Sequence, residues 1–300
     1  MIIQTDNLFK KYGRFDAVQG LSLSVPEGSA FALIGANGAG KSTTIKTLMN
    51  IISPSAGSAT VLGVDSRKLS PRELAQIGYV SENQEMPGRM SVAEYIAYLR
   101  PFYPAWDRQL EAEILGQLRL PPERKIKNLS HGMRLKMALA CALPFRPKLL
   151  VLDEPFSGLD PLVRDEFMEN VLRQAGDGTT ILISSHELME LEGVATHVAF
   201  LDRGKLLFQE TMEDLTGRLR EVHVTLERRP SELPQMPKEW LDFRFSGNVA
   251  SFVDTGYAED RLATNVTAAF GNVRAIDAQP IGLRSIFKTL ARATRDGSAA

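Results

Sequence analysis

The stretch AFALIGANGAGKST, residues 30–43, decides the fold of this 300-residue chain. Its first five residues form a continuous apolar run, which predicts a short strand buried on both faces. The next nine, from Gly35 to Thr43, fit the pattern G-x-x-x-x-G-K-[ST], and an amphipathic helix is predicted from about Lys41 to a stop before Pro54. A glycine-rich loop between a buried strand and a helix turns consecutive backbone N–H groups toward one point, where they bind phosphate.

Side chains of this loop add charge and a metal ligand to the backbone site. We expect Lys41 to reach the β- and γ-phosphates of a nucleotide and the Ser42 hydroxyl to bind Mg²⁺. The remaining phosphate contacts are expected from Gly35, Asn37, Gly38, Ala39, Gly40 and Thr43.

A second segment, LLVLDEP at Leu149 to Pro155, ends a predicted buried strand in two carboxylates. We expect Asp153 to hold Mg²⁺ directly or through water, and Glu154 to polarise the attacking water as a general base. Together with the phosphate-binding loop, this acidic pair indicates a nucleotide-hydrolysing protein.

The order of elements predicts an α/β fold for the first 215 residues. Another buried strand is predicted at Ile181 to Ile183, after a helix-length segment from Pro161 to Gln174. Strands that alternate with helices favour a mainly parallel sheet whose phosphate site lies at the strand ends. Residues 86–143 show helical patterns and no convincing strand, so we expect an inserted helical subdomain there, with its last helix beginning near Ser130.

Residues 216–300 are predicted to form a small accessory α+β domain. Apolar and polar residues alternate at 222–226 and 241–245, which predicts two half-buried strands. Helical spacing predicts helices at 262–270 and 283–290, and the tail 296–300 is expected to be disordered. We find no chemical motif in this part of the chain.

Composition limits the class of partner. The formal net charge is −1, so there is no basic track for nucleic acid. One cysteine excludes an internal disulfide framework and fits a reducing compartment. The chain shows no signal peptide and no apolar run near the roughly 20 residues that span a bilayer, so a membrane process would require a separate membrane-embedded partner.

A third segment, LSHGM at Leu129 to Met133, stands shortly before LLVLDEP. With the three segments in this order, residues 1–215 resemble the ATP-binding subunit of an ABC transporter. The resemblance implies a P-loop NTPase fold with a mixed sheet core, and nucleotide held between two subunits that face head to tail. It also implies that Ser130 and the Gly132 N–H group of one subunit face the γ-phosphate bound by the other.

Other positions also match that family. Tyr12 resembles the aromatic residue that stacks on adenine, with Val18 beside the ring. The segment SGLD ends in Asp160, which the resemblance implies helps to join the two subunits. His186 is similar to the switch histidine that contacts the γ-phosphate and the attacking water.

Two departures from the family pattern stand out. The usual LSGGQ segment has His131 and Met133 at its third and fifth positions in this chain. Glu82 occupies the place where the family has a glutamine that senses Mg²⁺ and water, and Gln84 follows two residues later. Both are candidates for that role, and we favour Glu82 by position. Similar substitutions occur in subunits that resemble the ABC-2 type exporters.

The resemblance implies an ATPase subunit, using ATP and Mg²⁺, that powers export through a separate integral membrane permease. We expect it to be cytoplasmic, peripheral on the inner face of the cell membrane, coupled to the permease through residues 86–106, and paired with a second ATPase copy. A homodimer could build two complete sites, and a heterodimer with a related ATPase is the other possibility. Two alternatives remain at this stage: a non-transport ABC protein acting on ribosomes or DNA, and a nucleotide-binding module with little hydrolysis.

Overall fold

The computed structural model describes residues 1–300 except 83, 158, 160, 176–177, 187–190, 192, 231–233 and 296–300, and it does not describe the side chains of 161–163, 174–175, 291 and 294–295. Asp160 and the tail 296–300 therefore lie outside the described residues. The chain divides into two compact units, Met1–Gln209 and Glu210–Ala300, each with a hydrophobic core of its own. The sequence predicts the boundary after residue 215, and the first unit ends a few residues earlier, at Gln209.

A six-stranded sheet forms the centre of the first unit. Its strands are β4 (Ala30–Ile34), β7 (Ile77–Ser81), β8 (Leu149–Asp153), β9 (Thr180–Ser185), β10 (His197–Asp202) and β11 (Lys205–Thr211). The order is β11-β10-β4-β9-β8-β7, and the four pairs from β10 to β7 are parallel. Because β8 and β9 are buried along their whole length, their sequences carry no polar alternation. The parallel arrangement brings the carboxyl ends of β4, β8 and β9 together, and the site lies there.

A second, antiparallel sheet in the same unit carries the amino-terminal residues. It consists of β1 (Ile3–Tyr12), β2 (Phe15–Leu21), β3 (Ser24–Val25), β5 (Ala56–Val61) and β6 (Val64–Asp65). The order is β2-β1-β5-β6, with β3 also paired to β1. The mixed sheet core that the resemblance implies is therefore present as two sheets.

Six helices complete the description of the first unit: α1 (Lys41–Leu48), α2 (Pro71–Leu74), α3 (Val92–Leu99), α4 (Arg108–Gln117), α5 (His131–Ala142) and α6 (Pro161–Ala175). Among the described residues between β7 and β8, helices and 3-10 turns occur and no strand, apart from an isolated bridge between Ser91 and Lys125. Serine hydroxyls cap three of the helices at their N-termini: Ser70 caps α2, Ser91 caps α3 and Ser130 caps α5. In the part of the chain that the structure describes, no helix combines the length and apolar character needed to cross a bilayer.

The second unit is an antiparallel sheet with helices. Its elements are α7 (Met212–Arg218), β12 (Arg220–Leu226), β13 (Trp240–Ser246), β14 (Val249–Asp254), α8 (Glu259–Phe270), β15 (Val273–Pro280) and α9 (Leu283–Arg295). The strand order is β13-β14-β12-β15, with every pair antiparallel. Both strands and both helices that the pattern predicts are present, whereas β14 and β15 were not predicted.

Candidate nucleotide-binding site

The glycine-rich loop after β4 is shaped by two close backbone approaches. A Cβ atom on Gly35 would lie 2.4 Å from the carbonyl oxygen of Leu201, and one on Gly40 would lie 2.5 Å from that of Ala17. Gly40 also has φ 103° and is the N-cap of α1, with no side chain bonded to the first turn of the helix. The N–H groups of that turn are therefore open to an anion, and the positive end of the helix favours one.

Lys41 lies at the centre of this loop, with only 4% of its side chain exposed. Its Nζ donates to the carbonyl oxygens of Gly35 at 2.6 Å and Ala36 at 3.2 Å, and lies 2.9 Å from Oε1 of Glu154. The loop carbonyls fix the position of the ammonium group, and the carboxylate balances its charge.

Asp153 and Ser42 place two hard oxygen ligands side by side. The Ser42 hydroxyl donates to Oδ1 of Asp153 at 2.9 Å, and the Ser184 hydroxyl donates to the same oxygen at 2.7 Å. Ser184 in turn accepts a hydrogen bond from the backbone N–H of Glu154 at 2.9 Å. Hydroxyl and carboxylate oxygens suit Mg²⁺, which keeps several waters and takes phosphate oxygens as ligands. Among the described residues, no group of three or more His, Cys, Asp or Glu side chains could hold a metal ion. An ion bound by Ser42 and Asp153 would therefore need water or phosphate oxygens as further ligands.

Glu154 is held from two sides. Nδ1 of His186 lies 2.9 Å from its Oε2, and Lys41 contacts its Oε1. Burial raises the pKa of this carboxyl, but the contacts with His186 and Lys41 outweigh it and leave the pKa below its ordinary value. Glu154 is therefore ionised at neutral pH, as a general base must be.

Lys41, Ser42, Glu154 and His186 line a cavity of about 380 Å³. Asp153 does not line it but is hydrogen-bonded to Ser42, which does. The lining residues are Phe15, Ala17, Asn37, Gly38, Gly40, Lys41, Ser42, Thr43, Glu82, Glu154, Ser157 and His186. The structure thus brings together most residues that the sequence assigns to the nucleotide and to catalysis. Gly35 and the buried Ala39 belong to the loop but do not line the cavity.

The predicted adenine contacts are arranged differently from the expectation. Val18 is fully buried in the hydrophobic core, so its side chain is not available to a nucleotide; Ala17 lines the cavity instead. Tyr12 is 48% exposed, with the Lys10 ammonium 5.1 Å from its ring centroid, and it does not line the cavity. Its cross-strand partner Phe15 does line it and is 61% exposed.

The two candidates for the family's glutamine position occupy different surroundings. Glu82 lines the same cavity as Lys41, and its N–H donates to the Asp153 carbonyl at 3.1 Å. Both residues line a neighbouring cavity of about 520 Å³, and Gln84 does not line the first one. Of the two candidates, Glu82 is therefore the one that shares a cavity with Lys41.

The LSHGM segment forms the first turn of α5. The Ser130 hydroxyl accepts a hydrogen bond from the Met133 N–H at 3.3 Å and is exposed. Neither Ser130 nor Gly132 lines the cavity that contains Lys41 of the same chain. Nε2 of His131 lies 3.0 Å from the carbonyl oxygen of Ser157, a residue that does line that cavity.

The sequence did not predict four residues of this site: Ser184, Phe15, Ala17 and Ser157. Ser184 could have been found as a hydroxyl at the end of the strand predicted beside LLVLDEP. The contributions of Phe15 and Ala17 depend on the hairpin between β1 and β2, whose geometry no short pattern predicts.

The chain matches the family model described as ABC transporter over residues 18–157. It is 32% identical over 222 residues to a probable multidrug ABC transporter ATP-binding protein, YbhF of Escherichia coli, a match that covers 72% of this chain and 38% of YbhF. The chain therefore spans less than half the length of that relative. It is also 30% identical to the linearmycin resistance ATP-binding protein LnrL of Bacillus subtilis (73% of this chain, 72% of LnrL) and 33% identical to the lantibiotic transport ATP-binding protein SrtF of Streptococcus pyogenes (70% and 90%).

Solved structures give the same result for the fold. An ATP-binding subunit of an ABC transporter superposes with a TM-score of 0.66 at 27% identity, covering 72% of this chain and 92% of that one. The ATP-binding cassette MJ1267 in its ADP conformation superposes with a TM-score of 0.62 at 27% identity, with 71% and 92% covered. These likenesses agree with the nucleotide site assembled above.

Proposed function

This chain belongs to the ABC transporter family of ATP-binding proteins, and we propose from that premise that it is the ATP-hydrolysing subunit of an exporter. The observation that carries the proposal is the single cavity shared by the open helix end at Gly40, the Lys41 ammonium and the Glu154 carboxylate. The names of YbhF, LnrL and SrtF refer to a probable multidrug transporter, linearmycin resistance and lantibiotic transport. They favour export over action on ribosomes or DNA.

The phosphates of ATP bind at the N-terminus of α1, where the loop N–H groups and Lys41 meet their charge. Ser42 and Asp153 would hold Mg²⁺, and Glu82, which lines the same cavity as Ser42, would contact the ion or the attacking water. When bound, Mg²⁺ would neutralise charge on the β- and γ-phosphates. Lys41 then exchanges its contact with Glu154 for a phosphate contact, which leaves Oε1 of Glu154 free to accept a proton from water.

Hydrolysis follows from this arrangement. Glu154 takes the proton of the attacking water while His186 orients the carboxylate and contacts the γ-phosphate. The water oxygen bonds to the γ-phosphorus as the bond from that phosphorus to the bridging oxygen breaks. ADP and phosphate then leave, and Glu154 passes its proton to the departing phosphate or to solvent. Charge on the transferring group is stabilised by Lys41 and by the first turn of α5 from a second copy, through Ser130 and the Gly132 N–H.

One chain supplies both a phosphate-binding loop and an exposed α5 tip, so a homodimer would complete two sites. A heterodimer with a related ATPase would complete them in the same way.

We place the chain at the cytoplasmic face of the membrane, bound to an integral permease. The contact region would be residues 86–106 together with the 520 Å³ cavity beside them. Exposed Tyr98 and Phe102, which contact each other edge to face, suit a partner surface there.

Substitution Glu154→Gln tests the catalytic assignment. Loss of the general base is expected to lower ATP turnover about 100-fold or more, while nucleotide binding is kept. Wild type and Glu154→Gln with equal turnover would contradict the assignment.

The head-to-tail dimer is tested by cysteine replacements at Asn37 and Gly132 in a Glu154→Gln chain. We expect a disulfide between chains that forms with ATP and Mg²⁺ and is absent without them. The native thiol does not interfere, because Cys141 is the one cysteine of the chain and is buried, which raises its pKa. A replacement at Ser251, in the second unit, paired with Gly132 is the matched control. Persistent failure of the Asn37–Gly132 link with nucleotide would overturn the dimer.

A further inference from the structure

We propose that His131 is a positioning residue that ties the tip of α5 to the turn carrying Glu154, and so links the two nucleotide sites of the dimer. The inference rests on the proposed function, since it concerns how one copy's α5 tip and its own catalytic turn move together. It assigns a role to the side chain by which LSHGM departs from LSGGQ at its third position.

The link is a short chain of contacts within one copy. His131 directly follows the N-cap Ser130, and its Nε2 lies 3.0 Å from the Ser157 carbonyl oxygen. The Ser157 N–H donates to the Glu154 carbonyl at 3.4 Å, so these residues form one turn. Ser157 also lines the cavity that contains Lys41. A side-chain hydrogen bond thus joins the helix end that serves a neighbour's γ-phosphate to the wall of the chain's own site.

The chemistry of this contact determines which nitrogen of the His131 imidazole carries the hydrogen. A carbonyl oxygen can only accept a hydrogen bond, so Nε2 of His131 must donate. Glycine at this position has no side chain with which to make the bond. The link is therefore a property of this sequence and does not follow from the general LSGGQ pattern.

A displacement of α5 on closing over the neighbour's nucleotide would pull on the Ser157 carbonyl and hence on the turn that begins at Glu154. Occupancy of one site would then influence the geometry of the catalytic carboxylate at the other. The expected signature is positive cooperativity of ATP hydrolysis, with the coupling lost when the bond is removed.

The experiment compares His131→Ala, which removes the donor, with His131→Gln, which keeps an N–H donor of similar reach. His223→Ala is the matched control, because this histidine bonds Ser251 in the second unit. Amide hydrogen exchange of Phe156 and Ser157 is measured without nucleotide, and ATP saturation curves are measured for the full-length chain with Mg²⁺. The imidazole ¹⁵N spectrum of the wild type reports which nitrogen of His131 carries the hydrogen.

We expect His131→Ala to speed exchange of these two amides about fivefold and to lower kcat by a similar factor, as the loss of one hydrogen bond predicts. Its Hill coefficient should fall toward one, while His131→Gln and His223→Ala stay close to wild type. Unchanged exchange and superimposable saturation curves for His131→Ala would overturn the inference, as would equal impairment of the Ala and Gln variants. If the wild type hydrolysed no ATP, the proposed function would fail, and the exchange and ¹⁵N results would still decide the contact.

Discussion

At the scale of single residues, we propose Phe15 rather than Tyr12 as the aromatic residue that stacks on the base, because Phe15 lines the cavity and Tyr12 does not. A large aromatic side chain that is 61% exposed gains little from the core, yet it lines the cavity beside the phosphate-binding loop. We expect Phe15→Ala to weaken ATP binding about tenfold, because stacking of a base on an aromatic ring contributes roughly 1–3 kcal/mol. Phe15→Trp should restore most of the affinity.

Binding of a fluorescent ATP analogue measures this effect, with Tyr12→Ala as the matched comparison. Inorganic triphosphate, which has no base, should bind all four proteins equally. A larger loss for Tyr12→Ala than for Phe15→Ala would return the stacking role to Tyr12.

The contacts of Glu154 predict how stability depends on pH. Its pKa is lowered in the folded chain, so its ionised form stabilises the fold above the ordinary carboxyl value of 4.5, and this contribution is lost as the pH falls through the lowered pKa. We therefore expect the difference in unfolding free energy between wild type and Glu154→Gln to shrink as the pH falls below about 4.5. Urea unfolding at several pH values measures this, and a difference that grows toward acid would contradict the direction of the shift.

Much of the site was predictable from sequence because local patterns determine it. The loop residues, Asp153 and Glu154 occur in contiguous segments, and parallel strands bring their ends together. The contact of Val18 with adenine stays a prediction: Val18 and its neighbour Ala17 are both buried in β2, and Ala17 is the one that lines the cavity. Ser184 was missed because its role depends on the register of β8 against β9, which places it beside Asp153.

At the scale of secondary-structure elements, a comparison of two serine caps distinguishes the effect of a lost cap on stability from an effect on ATP turnover. Ser130 caps α5 and Ser91 caps α3, where Glu94 completes a capping box. Replacing either serine by alanine should lower the unfolding free energy by about 1 kcal/mol, through the lost cap. Only Ser130→Ala should also lower ATP turnover, because only that hydroxyl serves the neighbour's phosphate in the proposed dimer.

Thermal unfolding and steady-state ATPase assays on the two variants provide the measurement. Equal turnover in Ser130→Ala and Ser91→Ala would reduce Ser130 to a helix cap. A loss of turnover in both would indicate that the helical segment as a whole is sensitive to capping.

Elements with clear periodicity were predictable, and those without it were not. Helices α5, α8 and α9 have apolar stripes at helical spacing, and β4 and β8 are short buried runs. Strand β15 has only β12 as a neighbour and a largely exposed surface, so its sequence carries no strict alternation. Strand β1 is interrupted by register shifts near Leu8 and Lys10, which break the period of two.

At the scale of the whole molecule, two separate cores predict two separate responses to nucleotide. The chain has two tryptophans, with Trp106 in the first unit and Trp240 in the second. Trp240 is buried and stacks on Phe252 at a centroid distance of 4.1 Å, so its fluorescence reports on the second core. Trp106 donates through its indole N–H to the buried Glu111 at 2.7 Å and reports on the first.

Single-tryptophan variants, Trp240→Phe and Trp106→Phe, make the two reports independent. Saturating nucleotide stabilises the unit that binds it by about 2.7 kcal/mol at a ligand concentration of 100 Kd. We therefore expect ATP with Mg²⁺, in a Glu154→Gln background, to raise the urea midpoint reported by Trp106 and to leave that reported by Trp240 unchanged. Equal shifts of both midpoints would contradict this prediction. They would mean that the second unit unfolds together with the ATPase unit, so that nucleotide bound to the first unit also stabilises the second.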